Sequence, residues 1–186
     1  QVIVGDLDGD RDADLLVIKA RPPHDAYLND RLWTYHRAAE LDPLVATPID
    51  AAVAGDVDAN GRLEIYAVGG GSISRWQRVE GTWRAGALGV SIAPPRAEAA
   101  RLALADIDGD GVLDLLGGTY AGWQVISFAP DGRAARLGFA TLGADLAHWA
   151  PVALDAASGP AVVGVPRGDA PIVWKAGPGR YPFVTI

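Results

Sequence analysis

Short apolar runs alternate with polar turn residues along the whole chain, and none has the period of a long amphipathic helix. Three acidic segments each lie between two such runs. The runs before them are residues 2–4, 51–54 and 102–105, and the runs after them are residues 15–18, 65–68 and 115–116. Runs of this length that end at Gly or polar residues are typical of buried strands. The pattern therefore predicts three hairpins with an acidic loop at each tip.

The three acidic loops are evenly spaced. They begin at Asp6, Asp56 and Asp106, so that successive loops start 50 residues apart (56 − 6 = 50 and 106 − 56 = 50). Each loop offers side-chain oxygens at its first, third, fifth and ninth places. Hard oxygen ligands on a short, flexible loop suit Ca²⁺, so we expect up to three bound calcium ions. Acidic turns that hold no metal are the alternative interpretation.

The calcium loop of an EF-hand is excluded by its own requirements. That loop needs a bidentate Glu at its twelfth place and a helix on either side. Here the twelfth places are Val17, Ala67 and Gly117. The flanking runs also favour strands, which leaves a strand–loop–strand hairpin as the predicted setting of each loop.

The similarity between repeats extends beyond the loops. We divide the single region 1–186 into repeats 1–49, 50–99, 100–148 and 149–186. In each repeat a Gly- or Pro-rich turn, such as Gly117-Gly118, precedes a third strand, and a fourth strand follows, carrying Trp33 and Tyr35 in the first repeat. The third strands share an aromatic residue, at Tyr27, Trp76, Trp123 and Trp174. In the fourth repeat Asp155 is followed by residues 156–159, Ala-Ala-Ser-Gly, which lack metal-binding side chains.

Four strands in each of four repeats give about sixteen strands and an all-β fold. A repeat of this length cannot bury its own faces, so neighbouring repeats must pack on it. Radially arranged four-stranded sheets form a β-propeller. We expect the shared aromatic residues to pack between adjacent blades. The chain is expected to be part of a larger ring, and a closed four-bladed propeller is the alternative.

The loop sequences resemble the FG-GAP or VCBS repeats of integrin α-subunit propellers and bacterial secreted proteins. Residues 5–10 (Gly-Asp-Leu-Asp-Gly-Asp) with 14–17, and residues 105–111 with 114–116, carry this resemblance. It implies that each loop binds Ca²⁺ between the first two strands of a blade. The implied side-chain ligands are Asp6, Asp8, Asp10 and Asp14; Asp56, Asp58, Asn60 and Glu64; and Asp106, Asp108, Asp110 and Asp114. The seventh places, Asp12, Arg62 and Val112, would each supply a backbone carbonyl.

The loops also depart from this pattern. The sixth place, where the chain turns sharply, is Gly61 or Gly111 in two loops but Arg11 in the first, which predicts backbone strain there. Neutral Asn60 and the longer Glu64 lower the ligand charge of the second loop. We therefore expect the highest calcium affinity at the third loop and none in the fourth repeat.

Composition narrows the class of protein. The net charge is −7, and Lys occurs only at Lys19 and Lys175, which argues against nucleic acid and anionic membrane surfaces as partners. There is no Cys, so disulfides and thiol chemistry are excluded. No run approaches the roughly 20 apolar residues of a membrane span. Weak calcium sites function outside the cytosol, which predicts an extracellular, periplasmic or cell-surface location.

The sequence contains no recognisable catalytic grouping. His24, His36 and His148 lack metal-ligand spacing. We therefore expect a non-catalytic module that binds a protein or carbohydrate partner, as in cell adhesion, and that is completed by further sequence or by another chain. His148 and Trp149, which have no counterpart in the other repeats, are the candidate partner contact. The alternatives are the propeller part of a secreted enzyme, such as a polysaccharide lyase or phospholipase, and a lectin.

Overall fold

The computed structural model of the protein describes residues 1–91, 101–119, 122–128, 134–141, 146–154, 160–176 and 183–185. These residues form sixteen strands in four antiparallel sheets, each with four strands in sequence order. The chain divides into two compact units, Gln1–Ser91 and Ile92–Ile186. Four consecutive four-stranded sheets are the blades of a β-propeller, so the predicted fold class and strand number are confirmed.

The first unit contains two sheets. The strands of the first are β1 (Val2–Gly5), β2 (Asp14–Val17), β3 (Asp25–Asn29) and β4 (Tyr35–Arg37). The strands of the second are β5 (Ala51–Gly55), β6 (Glu64–Gly69), β7 (Ser72–Val79) and β8 (Thr82–Ser91). Between the sheets lie a short 3₁₀ helix, Ala39–Leu41, and the single-turn helix α1, Asp42–Val45. The sequence pattern gave no sign of these helical elements because each is only about one turn long, too short for a repeating apolar face.

The second unit repeats this arrangement. The strands of its first sheet are β9 (Arg101–Ala105), β10 (Asp114–Thr119), β11 (Gly122–Phe128) and β12 (Ala134–Thr141). The strands of its other sheet are β13 (Leu146–Ala153), β14 (Pro160–Pro166), β15 (Ile172–Ala176) and β16 (Phe183–Thr185). Gly117 and Gly118 belong to β10, so the turn predicted at this pair is wrong. Among the described residues, no helix has the length and apolar character needed to cross a membrane.

The aromatic residues predicted for the third strands lie in β3, β7, β11 and β15. In the second unit the rings of Trp123 and Trp174 meet edge to face with centroids 6.1 Å apart, within a core shared by both sheets. Trp76 is buried in the core shared by the two sheets of the first unit. Tyr27 is the exception, because 37% of it is exposed. Aromatic packing between blades therefore holds for the three Trp residues.

Candidate metal centres

Each acidic loop connects the first two strands of its sheet, as the sequence predicts. The residue before the loop pairs with the ninth loop residue across the hairpin in three cases, Gly5 with Asp14, Gly55 with Glu64, and Ala105 with Asp114. Eight residues are thus closed into a loop at an identical register. The strand pairing brings the first and last acidic residues of each loop to the same end of the hairpin.

The first carboxylate of each loop accepts hydrogen bonds from amides further along the same loop. Asp6 accepts from the amides of Gly9 and Arg11, at 2.7 and 3.0 Å. Asp56 accepts from Asn60 and Gly61, at 2.9 and 2.8 Å. Asp106 accepts from Gly109, Asp110 and Gly111, at 2.7, 3.1 and 3.0 Å. These bonds curl the backbone around the first carboxylate, which is why all three loops share one shape.

The side chains at the third and fifth places accept hydrogen bonds from residues closer in sequence. Asp8 and Asp108 each accept a bond from the amide two residues later, at 3.1 Å. The fifth-place side chains do the same with the seventh-place amide; the pairs are Asp10 with Asp12, Asn60 with Arg62, and Asp110 with Val112, each at 2.8 Å. Short polar side chains favour such turns. The predicted seventh places therefore donate an amide to the fifth place.

The ninth carboxylate is buried in all three loops. It accepts a hydrogen bond from the second-place amide, at 2.7 Å for Asp14 and Leu7, 3.0 Å for Glu64 and Val57, and 2.8 Å for Asp114 and Ile107. The exposed fraction is 0% for Asp14, 2% for Glu64 and 0% for Asp114. Burying a charged carboxylate costs free energy unless an opposite charge or hydrogen bonds compensate. A cation close to the ninth residue would therefore stabilise its charged form.

Backbone conformation explains the glycines of the loops. The sixth place is left-handed in all three, with φ of 73° at Arg11, 81° at Gly61 and 89° at Gly111. The predicted strain at Arg11 is therefore present. The fourth place is also left-handed, with φ of 55° at Ala59 and positive φ at its counterparts Gly9 and Gly109. Ala59 is a second strained position, which the sequence alone did not reveal.

In each loop, three carboxylates place one oxygen apiece within 4.8 Å of the other two. These groups are Asp6, Asp8 and Asp10; Asp56, Asp58 and Glu64; and Asp106, Asp108 and Asp114. The donors are all oxygens, which is the ligand type that Ca²⁺ prefers. In the third loop Asp114 Oδ1 is buried and accepts no hydrogen bond of normal geometry, although Ser127 lies close enough to favour the charged form slightly. An oxygen in this position fits a cation.

The pKa values of the loop carboxylates also favour a bound cation. Burial raises the pKa of Asp14 and Glu64 above the ordinary values, and it raises the pKa of Asp114 to about 6. Neighbouring loop carboxylates add to each rise, while the hydrogen bond from the second-place amide opposes it. The pKa of Asp8 is also raised by burial and by Asp10. A cation among these groups would favour their charged forms.

Three of the predicted residues in the first two loops form ion pairs with arginine side chains or line a cleft. Asp12 Oδ2 lies 3.6 Å from Arg31 Nε, and Asp58 is paired with Arg75. Arg62 lines a cleft of about 600 Å³ between the first and second loops, together with Asp8, Arg78 and other side chains. Within this cleft the Arg78 guanidinium donates to the backbone carbonyl of Asp8. The cleft therefore has charged groups of both signs in its walls.

The candidate partner contact does not have the predicted setting. Asp155 and residues 156–159, the altered fourth loop, lie outside the described residues. His148 and Trp149 belong to β13 and not to a loop before it. His148 is exposed, whereas Trp149 packs against the core of the second unit and against Gly118. An aromatic side chain held in this way is engaged in packing, which leaves His148 as the accessible member of the pair.

A second surface feature escaped the sequence analysis. Trp33 lies in the turn before β4 and not in a strand, and it is 81% exposed, beside Leu32 at 95%. Arg31, Leu32 and Trp33 have φ of 70°, 52° and 64°. Three consecutive left-handed residues without glycine are costly, because each carries roughly 1–2 kcal/mol of strain. The turn displays two large apolar side chains to solvent at this cost.

This turn is attached to the first acidic loop. Arg31 reaches Asp12 as described, and the Tyr35 hydroxyl donates to the backbone carbonyl of Ala13 at 3.2 Å. The turn is closed by the Asp30 amide, which donates to the Thr34 carbonyl at 2.7 Å. These contacts join the Leu32–Trp33 turn to the first acidic loop. The sequence analysis placed Trp33 in a strand and gave no sign of this turn.

Part of this chain matches a known family of repeats. Residues 56–117, from the start of the second loop to β10, match the family described as FG-GAP-like repeat. The resemblance to this family is thus confirmed for the second and third loops, both of which lie complete within the matched segment. A comparison with curated proteins found no match.

Several solved structures share the fold of this chain, and two of them are described here. One is an Agrocybe aegerita lectin described as recognising non-reducing terminal N-acetylglucosamine, with a TM-score of 0.65 and 14% identity over 99% of this chain. The other is the Tc holotoxin pore of Photorhabdus luminescens, with a TM-score of 0.57 and 17% identity over 99% of this chain. The chain spans about half of the lectin, 51%, and 9% of the toxin chain. At this identity the likeness shows the fold alone.

Proposed function

We propose that this chain is a calcium-stabilised, non-catalytic β-propeller module that binds a protein or carbohydrate partner in an extracellular, periplasmic or cell-surface setting. The observation that carries the proposal is the threefold recurrence of one closed acidic loop with a buried ninth carboxylate. Three hairpins with different strand sequences keep this arrangement. Its shared feature is a set of oxygens suited to a divalent cation.

Calcium would act as a structural ion in this function. Like-charged oxygens held within 4.8 Å of one another repel, and a cation would remove that repulsion in the folded state only. The residues that would hold it are the first-, third-, fifth- and ninth-place side chains of an occupied loop. Because such an ion binds the folded chain and not the unfolded one, it adds stability in proportion to the logarithm of its concentration.

The Leu32–Trp33 turn is the surface feature that best supports partner binding. Strained backbone that exposes apolar side chains is common where a ligand is held, and Trp is enriched among residues that dominate binding. Trp33 is also 81% exposed, and sugars commonly stack on accessible aromatic rings. Carbohydrate binding is therefore the form of the proposal that this residue favours, and the lectin of similar fold makes N-acetylglucosamine the first sugar to try.

The experiment on calcium is a thermal melt in millimolar Ca²⁺, in Mg²⁺ and in excess chelator. We expect calcium to raise the midpoint by several degrees, since even weak sites stabilise the folded state by mass action. Asp106→Asn should remove much of this gain, because it replaces the carboxylate around which the third loop curls. An identical midpoint in calcium and chelator would refute the calcium part of the proposal.

The experiment on the partner uses N-acetylglucosamine and a panel of other sugars with the calcium-loaded protein. Binding should be detected by tryptophan fluorescence and lost in Trp33→Ala. His148→Ala tests the earlier candidate contact on the same panel, and Trp83→Phe, a buried residue of β8, controls for the loss of one tryptophan. If no sugar of the panel binds while calcium still stabilises the chain, the carbohydrate form of the proposal fails and the calcium part stands.

A further inference from the structure

Two metal-binding carboxylates of the second acidic loop are contacted by a cationic side chain from a neighbouring strand. The Arg75 side chain reaches into the loop from β7, and its Nη2 lies 2.7 Å from Asp58 Oδ2 and 3.5 Å from Glu64 Oε1. Both of these carboxylates belong to the group of three that could hold a metal in this loop. The Arg75 side chain is 17% exposed. A largely buried guanidinium thus occupies the region where the loop carboxylates converge.

At the strand position that Arg75 occupies, the other two hairpins have an uncharged residue. Arg75 pairs with Tyr66, two residues after the ninth loop residue. The residue at the same register is Ala26, opposite Leu16, in the first sheet and Val125, opposite Leu116, in the third. Neither side chain carries charge. The second loop therefore differs from its neighbours at a position outside the loop that a scan of the loop sequence does not include.

The charge of the ligand set differs in the same direction. The first and third loops each offer four aspartates at the first, third, fifth and ninth places, a charge of −4 when all are ionised. The second loop offers Asp56, Asp58 and Glu64 with neutral Asn60, a charge of −3, and Arg75 reduces this to −2 (−3 + 1 = −2). Calcium affinity depends strongly on the number of charged ligands. The second loop is the weakest candidate on charge alone.

We propose that Arg75 is the resident cation of the second loop, so that the first and third loops bind calcium and the second does not. The inference rests on the proposed calcium function and deepens it by assigning which loops are occupied. A guanidinium is planar, remains charged at all relevant pH values and can bind two carboxylates at once. It therefore relieves the repulsion between Asp58 and Glu64 without any metal.

Displacement of Arg75 by a metal is also unfavourable. A divalent ion bound to Asp58 and Glu64 would repel the guanidinium, whose Nε is already buried without a hydrogen-bond partner. The side chain would have to leave its contacts with both Asp58 and Glu64. The metal must accordingly overcome the loss of two ion pairs as well as the lower ligand charge.

The test is the number of calcium ions bound, measured by isothermal titration calorimetry and by equilibrium dialysis of the whole chain. We expect two ions for the wild type and three for Arg75→Val, which installs the residue type of the third sheet at this register. Arg84→Val, on the adjacent strand β8, removes the same charge from an exposed side chain and should leave the number at two. Three ions in the wild type, or two in a folded Arg75→Val protein, would overturn the inference.

Variants within the loops keep the test decisive if Arg75→Val does not fold. Asp6→Asn and Asp106→Asn should each reduce the number of bound ions to one, whereas Asp56→Asn should leave it at two. A reduction by Asp56→Asn would show that the second loop holds metal and would contradict the assignment of Arg75. No calcium bound by the wild type would refute the proposed calcium function itself, an outcome distinct from three ions bound.

Discussion

The backbone of Gly118 in β10 lies directly against the indole ring of Trp149 in β13. A methyl group added at Gly118 would overlap ring atoms Nε1, Cε2 and Cζ2 of that side chain. Trp149 in turn packs against the core formed by Trp123, Val125 and other buried residues of the second unit. Gly118 is therefore required by close packing between two sheets, and it has no role in a turn.

Gly118→Ala should destabilise the protein by roughly 1–3 kcal/mol, the usual cost of forcing extra volume into a packed core. Urea denaturation in chelator measures it. Gly86→Ala is the matched control, because the added methyl group of this strand residue would approach nothing closer than 3.9 Å. In a Trp149→Ala background the cost of Gly118→Ala should largely disappear. An equal cost in both backgrounds would mean that the two residues do not interact.

The same pair shows what the sequence could and could not predict. The acidic loops were predicted correctly because the residues that shape each loop lie within nine positions of one another. Trp149 was assigned to a partner-binding loop because no local signal shows that Gly118, in the preceding sheet, leaves space for its ring. Arg75 was missed for the same reason, since its contact with Asp58 depends on strand register. The sequence therefore predicted contacts within a loop, but it did not predict contacts between residues on different strands.

Arg11→Gly and Ala59→Gly should each stabilise the protein by about 0.5–1 kcal/mol. Both residues have positive φ at places where another loop has Gly, and a non-glycine residue there carries roughly 1–2 kcal/mol of strain. The greater freedom of Gly in the unfolded chain offsets part of the gain. Denaturant midpoints in chelator measure the effect without a contribution from calcium.

The reverse substitution provides the control for these two variants. Gly109→Ala, at the place that corresponds to Ala59, should destabilise the third loop by a similar amount because nothing lies within 4 Å of the added methyl group and only the backbone conformation is at issue. Should all three substitutions leave the midpoint unchanged, the left-handed conformations carry no measurable strain.

Trp33→Phe should remove most of the tryptophan fluorescence that acrylamide quenches readily. Trp33 is 81% exposed, whereas Trp76, Trp83, Trp123 and Trp174 are exposed by 6% or less. The free energy of unfolding should change by less than about 0.5 kcal/mol, as for other surface substitutions. Stern–Volmer quenching of the variant and of Trp76→Phe compares the exposed with a buried side chain. Strong quenching that survives Trp33→Phe would place the accessible tryptophan elsewhere.

Asp114→Asn should change the free energy of unfolding by different amounts in calcium and in chelator. Without metal the variant removes a buried charge near Asp108 and supplies an amide donor, so stability should be unchanged or higher by about 1 kcal/mol. In calcium at a hundredfold excess over the Kd it should lose about 2.7 kcal/mol, the contribution of one filled site. Chemical denaturation in both buffers measures the difference.

Asp169→Asn is the control for this charge change, because Asp169 is an exposed residue outside the three acidic loops. It should behave alike in calcium and in chelator. An equal loss of stability in both buffers for Asp114→Asn would mean that the ninth carboxylate stabilises the loop through its hydrogen bond to Ile107 and not through a cation.

His24 should make the metal-free protein less stable as the pH falls below the ordinary His pKa of 6.5. Burial lowers the pKa of this side chain, whose surroundings also include the charged groups of Lys19, Asp25 and the amino terminus. Its Nδ1 accepts the Lys19 amide at 3.1 Å, a bond that requires the unprotonated nitrogen. Below pH 6.5 the unfolded chain therefore binds the proton first, and stability declines by up to about 1.4 kcal/mol per pH unit until the folded pKa is reached.

His24→Asn isolates this contribution, because an amide oxygen can accept the Lys19 bond but does not titrate. Urea midpoints in chelator between pH 8 and pH 5 should fall less steeply for the variant than for the wild type, with the two curves diverging below pH 6.5. His36→Asn makes the same substitution at an exposed histidine of β4 and is the control for the substitution itself. Parallel curves for wild type and His24→Asn would show that the buried imidazole does not set the acid stability of this unit.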